Sequence, residues 1–171
     1  CSFIGCNFSK VNFSNSSFTD CKFKNCDFGL VKNANAAFRK TDFTECKLLG
    51  FHFENCNEFL LSFTFTNCQL NFSSFHKMKL HNTKFINCKL QEVDFTETDF
   101  TNSDFENCDF TDAIFNRSTL DKCDFSTSYN FIIDPENNKL AKAKFSSANV
   151  LGLLAKYNIE IEWNFKFHYG K

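Results

Sequence analysis

Large apolar side chains recur along this chain at every fifth position. In residues 108–125, CDFTDAIFNRSTLDKCDF, the residues Phe110, Phe115, Leu120 and Phe125 are five apart. The spacing runs in one phase from Phe3 to Phe63 and, after a slip of two within CNEFLLSFTF, in a second phase from Phe65 to Phe145. Twenty of the 26 phenylalanines occupy such centres, and Leu48, Leu70, Leu80, Leu90, Leu120 and Leu140 fill others. Asn33, Glu58 and Asn130 stand at nominal centres although they are polar, so bulges or loops are expected near them.

A period of five suits neither regular element in isolation. On an α-helix, steps of five turn by about 140° and scatter the rings around the cylinder. On a flat strand an odd step alternates faces. Only a chain that bends keeps the rings together: each centre and the residue two before it share a face of a short extended segment, and the remaining residues turn a corner. The prediction is a coil of short sides around a phenylalanine core, with coils stacked about 4.8 Å apart by backbone hydrogen bonds. Asn25, Asn55, Asn67, Asn87 and Asn107, each just before a cysteine, suit the corners. Cysteine pairs 1/21, 6/26, 26/46, 68/88 and 88/108 are twenty residues apart, which makes four sides of five.

The cysteines fit this frame. All ten lie two residues before a centre, in a slot shared with Val11, Ala36, Thr41, Val93 and Ala113. They read as small buried hydrophobes in a reduced, cytoplasmic setting, not as disulfides or metal ligands; there is no C-x-x-C pair. Stacked thiols on parallel side-chain vectors about 4.8 Å apart fall outside the usual Cβ spacing of a disulfide. No stretch approaches the roughly 20 apolar residues of a membrane span, and no signal-peptide pattern is visible. The sequence opens at Cys1 already in register, which leaves room for residues upstream.

The segments CDFTDAIFNRSTLDKCDF, CSFIGCNFSKVNF and VDFTETDFTNSDFENCDF resemble the pentapeptide repeat family: a small residue, Asp or Asn, Leu or Phe, then two variable residues. The resemblance covers residues 1–149 and implies an all-β, right-handed quadrilateral parallel β-helix. It would have about seven coils and form a rod of roughly 36 Å. The phase break near 57–64 and the stretch 129–139, with Asp134-Pro135 and Asn137-Asn138, are expected interruptions.

Residues 150–171 form a second segment. Val150, Leu151, Leu153, Leu154 and Tyr157 have roughly helical spacing, and Ile159, Ile161 and Trp163 alternate as in a strand. An open solenoid end must be covered or paired, so these eight residues are a cap or a dimer interface. The segment resembles the LL helix and strand that close the quinolone-resistance (Qnr) branch of the family, which implies a homodimer joined tail to tail. The last residues, 164–171, have no assigned role.

Little chemistry is legible. His52, His76, His81 and His168 form no ligand motif, the five glycines build no phosphate loop, and no nucleophile–base constellation stands out. The expectation is a non-enzymatic protein without metal or cofactor. Residues 1–64 hold seven Lys or Arg against six Asp or Glu with no basic stripe, so direct nucleic-acid binding is not expected. The conspicuous surface feature is acidic: Glu92, Asp94, Glu97, Asp99, Asp104, Glu106, Asp109 and Asp112, with no Lys or Arg between residues 90 and 116. Asp94, Asp99, Asp104 and Asp109 each precede a centre, one per side, so they form a belt around the rod. The belt is either a contact for a basic partner or simply the repeat's own Asp. Its local charge density exceeds that of duplex DNA, but DNA as long as the rod would carry roughly 20 charges, against a net −1 here. A local acidic contact therefore fits better than mimicry along the whole rod. The Qnr resemblance implies binding to a type II topoisomerase such as DNA gyrase, with an effect on quinolone action. The alternative is a scaffold or interaction module for another protein partner. Off-pattern segments near Asn33, near Glu58 and at 129–139 are the candidates for the projecting loops of that branch.

Overall fold

The rings at every fifth residue turn inward and the chain coils around them. In the computed structural model, which describes residues 1–162, the strands are β1 (Ser2–Ile4), β2 (Ser17–Thr19), β3 (Lys22–Lys24), β4 (Ala37–Arg39), β5 (Thr41–Thr44), β6 (Phe63–Thr66), β7 (Lys84–Ile86) and β8 (Asp104–Glu106). All pairing is parallel. The order β1-β3-β5-β6-β7-β8 forms one wall of an all-β solenoid, and β2-β4 part of another.

Partners twenty residues apart set the register, with Phe3 opposite Phe23 and Phe23 opposite Phe43. Across the phase slip the offset becomes 22, Phe43 opposite Phe65, and Phe65, Phe85 and Phe105 then follow at twenty. Isolated bridges carry the other sides. Asn7, Asp27, Lys47, Gln69, Lys89, Asp109 and Tyr129 lie along the second; His52, Ser74, Asp94 and Ile114 along the third; Lys79, Asp99, Thr119 and Lys139 along the fourth. The six-stranded wall spans about five turns, fewer than the seven expected, because beyond Glu106 pairing thins to single bridges. Asp104↔Asp124 and Asp124↔Lys144 continue that wall toward Phe125 and Phe145.

Ring geometry follows from this register. Rings one coil apart on the same side stack nearly parallel, as in Phe85–Phe105 (5.0 Å, 13°) and Phe105–Phe125 (4.8 Å, 13°). Rings on adjacent sides meet edge to face, as in Phe23–Phe28 (5.2 Å, 77°) and Phe100–Phe105 (5.4 Å, 80°). Both are favourable quadrupole arrangements, and together they fill a square section.

Most corners are turned by the second residue after a centre, which takes a left-handed conformation: Asn25 (φ 51°), Asn67 (φ 55°), Asn87 (φ 52°) and Asn107 (φ 51°) behave as expected. Asn55 instead ends a 3-10 turn, Phe53–Asn55. Asn side chains bridge coils at these corners, Asn87 Nδ2 donating to Asn67 Oδ1 (3.1 Å) and Asn35 Nδ2 to Asn15 Oδ1 (3.0 Å). The same slot also holds Leu30 (φ 57°) and Phe72 (φ 62°), residues for which this conformation is strained.

The cysteine slot is inward as expected. Cys6, Cys26, Cys46, Cys68, Cys88 and Cys108 share the second side, one per coil, and all ten cysteines are free thiols. Their thiols lie within hydrogen-bond reach of backbone carbonyls: Cys46 Sγ is 3.4 Å from Phe23 O, one coil away, and 3.3 Å from Thr44 O. Burial pushes the Cys123 and Cys56 thiols up to about 12, the latter against a hydrogen bond from Asn33.

Two of the three polar centres depart from expectation. Asn33 makes no loop; it stays buried, its Nδ2 donating to His52 O (2.7 Å) and Cys56 Sγ (3.3 Å). Glu58 does mark a bulge, with Phe59 and Leu60 exposed. Near Asn130 the chain alternates, Phe131 and Ile133 entering the core, so 129–139 is only partly a projecting loop.

The end of the chain also differs from expectation. Val150–Leu153 and Ala155–Tyr157 are 3-10 turns, not one α-helix. The Gly152 carbonyl, which a helix would use internally, accepts the Ile133 N–H (3.1 Å). Asn158 (φ 47°) then ends the turns. Ile159 and Ile161 form no strand, because among the described residues no edge pairs with them. Trp163 lies outside the described residues.

Candidate functional site

The eight acids do encircle the rod. Asp94, Asp99, Asp104 and Asp109 occupy the outward position before a centre on the third, fourth, first and second sides respectively. Glu92, Glu97 and Asp112 sit on left-handed corners, and Glu106 ends β8.

Several of these carboxylates serve the repeat itself. Asp94 Oδ1 accepts the Thr96 N–H (2.8 Å). Asp99 Oδ1 accepts the Thr101 N–H (3.0 Å) and hydroxyl (2.6 Å), while its Oδ2 lies 2.9 Å from His81 Nε2. Asp109 accepts from Thr111, Gln91 (2.8 Å) and Asn130 (3.0 Å). Burial works to raise the Asp99 and Asp109 pKa values, but these hydrogen bonds outweigh it and hold both carboxyls below the usual range. Asp124, one coil beyond the belt, repeats the motif with Ser126, and the Ser126 hydroxyl is the chief reason its pKa is lowered.

The belt is also less isolated than the linear sequence implies. Glu97 pairs with Lys77 (3.9 Å) and Arg117, and Asp124 with Lys144 (3.3 Å). These cations lie outside the 90–116 window, yet at offsets of twenty they stack directly above or below. The Arg117 guanidinium is the main cause of the lowered Glu97 pKa. The twenty-residue offset was the signal that could have found them. Among the described residues, Glu92, Asp94, Asp104, Glu106 and Asp112 form no ion pair. Of these, Asp104 and Glu106 line a shallow depression on the first wall together with Phe105, Asp124, Ser126 and Thr127.

The tail residues are brought partly together. Leu153 packs on the core, while Val150, Tyr157, Ile159 and Ile161 are exposed. Leu151 and Leu154 are half-buried. Lys156 clamps the turns to the 129–139 stretch through Asp134 (2.7 Å) and Glu136, and the Tyr157 hydroxyl donates to Glu136 (2.8 Å). Among the described residues no cluster of three or more His, Cys, Asp or Glu is arranged for a metal ion, and no helix is long and apolar enough to cross a membrane.

Comparison with known proteins places this geometry. The family model "Pentapeptide repeat region" matches residues 51–125, and "Pentapeptide repeats (8 copies)" matches residues 1–31. The chain belongs to the pentapeptide repeat family. Among solved structures, a trypsin-treated variant of QnrB1, a plasmid-mediated fluoroquinolone resistance protein, superposes with TM-score 0.70 at 19% identity, covering 94% of this chain and 88% of that one. HetL from the cyanobacterium Nostoc, involved in regulating heterocyst differentiation, superposes with TM-score 0.60 at 10% identity, covering 85% and 83%. No curated protein matches the sequence.

Proposed function

We propose that this chain is a protein-binding rod, not a catalyst, that it docks on a type II topoisomerase such as DNA gyrase, and that two copies join through residues 150–161. The observation that carries the reading is the exposed pair Asp104 and Glu106, which form no ion pair although Lys84 stands in register with Asp104 one coil away, on a rod whose repeat-centre rings are committed to the interior. A topoisomerase presents a basic surface to DNA, and a local acidic patch is complementary to it. The fluoroquinolone-resistance role stated for QnrB1, whose fold matches along nearly the whole chain, supports the same partner class. A gyrase supercoiling assay with a fluoroquinolone tests it: the protein shifts drug inhibition, and D104N/E106Q removes the shift. No effect of the unaltered protein at micromolar concentration contradicts the reading.

A second reading, a scaffold for a different partner, is favoured by the pairing of Glu97 with Arg117 and Lys77 and by the His81 Nε2 contact that occupies Asp99 Oδ2. The role stated for HetL, which has the same fold, supports it as well. Pull-down that recovers a protein other than gyrase subunits selects this reading.

A further inference from the structure

One edge of the rod carries a sequence of its own. The corner between the second and third sides is turned, coil by coil, by Lys10, Leu30, Gly50, Phe72, Glu92 and Asp112. Backbone hydrogen bonds stack the coils along it: Lys10 N to Gly29 O, Gly50 N to Asn71 O, Phe72 N to Gln91 O and Glu92 N to Thr111 O. Leu49, beside Gly50, is 43% exposed, Leu30 76% and Phe72 57%. The edge therefore reads basic, three apolar coils, then acidic. At other corners this slot is filled mainly by Asn and charged residues. Leu30 and Phe72 occupy it in a backbone conformation that disfavours them, with their side chains in water, so neither backbone preference nor core packing accounts for their presence.

The order is self-complementary. We propose that a second copy of this chain docks antiparallel along the edge, about a two-fold axis through Leu49 and Gly50. Leu30 then meets Phe72 of the second copy, Leu49 meets its own equivalent, and Lys10 meets Glu92 of the second copy. Each charge lies two coils, about 10 Å, from the axis, on opposite sides of it, so one rotation pairs both. This is an isologous contact, in which one patch serves both copies. The apolar coils supply the burial, and the flanking charges fix the antiparallel register. An edge is narrow, so the contact falls at the small end of specific interfaces, below about 1,200 Å², and association is weak and concentration-dependent. The contact is distinct from the tail interface proposed above.

Sedimentation velocity over a concentration series tests the proposal, run on an Ile159→Asp/Ile161→Asp background so that tail association does not contribute. The expected result is a monomer–dimer equilibrium. Leu30→Asn/Phe72→Asn, which relieves the backbone strain and so spares the fold, weakens association by more than about tenfold. Lys10→Glu and Glu92→Lys each weaken it, and K10E/E92K restores it. A monomer at every concentration overturns the proposal. So does association that ignores the Asn pair, or charge reversals that the double variant fails to rescue.

Discussion

Phe63 stands in register with Thr41, one coil away, although that slot elsewhere holds small residues. The exchange of a hydroxyl for a ring has a cause on the adjacent side. Glu58, at the nominal centre there, points to solvent with the bulge, and the Phe63 ring fills the vacated section, packing on Phe53 (5.2 Å), Phe65 (5.4 Å) and Phe38 (6.0 Å). Phe63→Ala should therefore behave as a core truncation and cost about 3–5 kcal/mol. Phe63→Thr should fail to rescue it despite matching Thr41. Urea denaturation followed by far-UV circular dichroism measures both; a loss below about 1 kcal/mol would mean that the section closes without the ring.

Corner strain gives a prediction of opposite sign. Leu30 takes φ 57° while largely exposed, so Leu30→Asn should raise monomer stability by up to about 1 kcal/mol, a gain of about 2–4 °C in Tm. At Gly50 (φ 63°) an added Cβ meets nothing within 4 Å, so Gly50→Ala isolates the conformational cost and should lower Tm by a similar amount. Differential scanning calorimetry of the two variants decides; equal Tm values would remove strain from the account of the corners.

Gly152 tests how the tail is held. A Cβ there would collide with the Phe131 carbonyl and ring. Gly152→Ala should undock residues 150–157 without unfolding the coils. Limited proteolysis then cuts the tail early while the coil fragment resists; an unchanged digestion pattern would show that the tail turns do not depend on this packing.

Acid should loosen the outer turns before it reaches the core. Asp99, Asp109 and Asp124 all have folded pKa values below the ordinary carboxylate value, about 3.9 in an unfolded chain. A depressed pKa contributes stability that is complete above that unfolded value and is lost as pH falls through the folded one. Tm should therefore change little between about pH 7 and 5 and fall below about pH 4. Asp99→Asn/Asp124→Asn should start lower and fall less steeply. An equally steep fall in the double variant would assign the acid sensitivity to other groups.

The wall and the rings were legible because a five-residue period admits almost no other solution, and the twenty-residue cysteine recurrence set the number of sides. The inward thiols followed from the slot they share with Val11 and Ala113. What escaped depended on neighbours one coil away. Asn33 looked like a loop because His52 O and Cys56 Sγ, its buried partners, lie 19 and 23 residues on. The belt looked uncompensated because Lys77 and Arg117 each stand twenty residues from Glu97. The tail looked helical because apolar spacing does not reveal that Ile133 claims the Gly152 carbonyl. The edge formed by Leu30, Leu49 and Phe72 was invisible for the same reason, since its three residues are consecutive only across coils.

Timed alkylation of the native protein, with each cysteine quantified by peptide mass spectrometry, bears most directly on the inward-facing solenoid. Cys1 is exposed, Cys6 partly so and the other eight buried. The expected result is fast labelling at Cys1, slower labelling at Cys6, and labelling of Cys21 through Cys123 only after denaturation, without added reductant. Prompt labelling of Cys46, Cys68 or Cys88 in the folded chain, or thiols that stay blocked after denaturation until reduced, would contradict it.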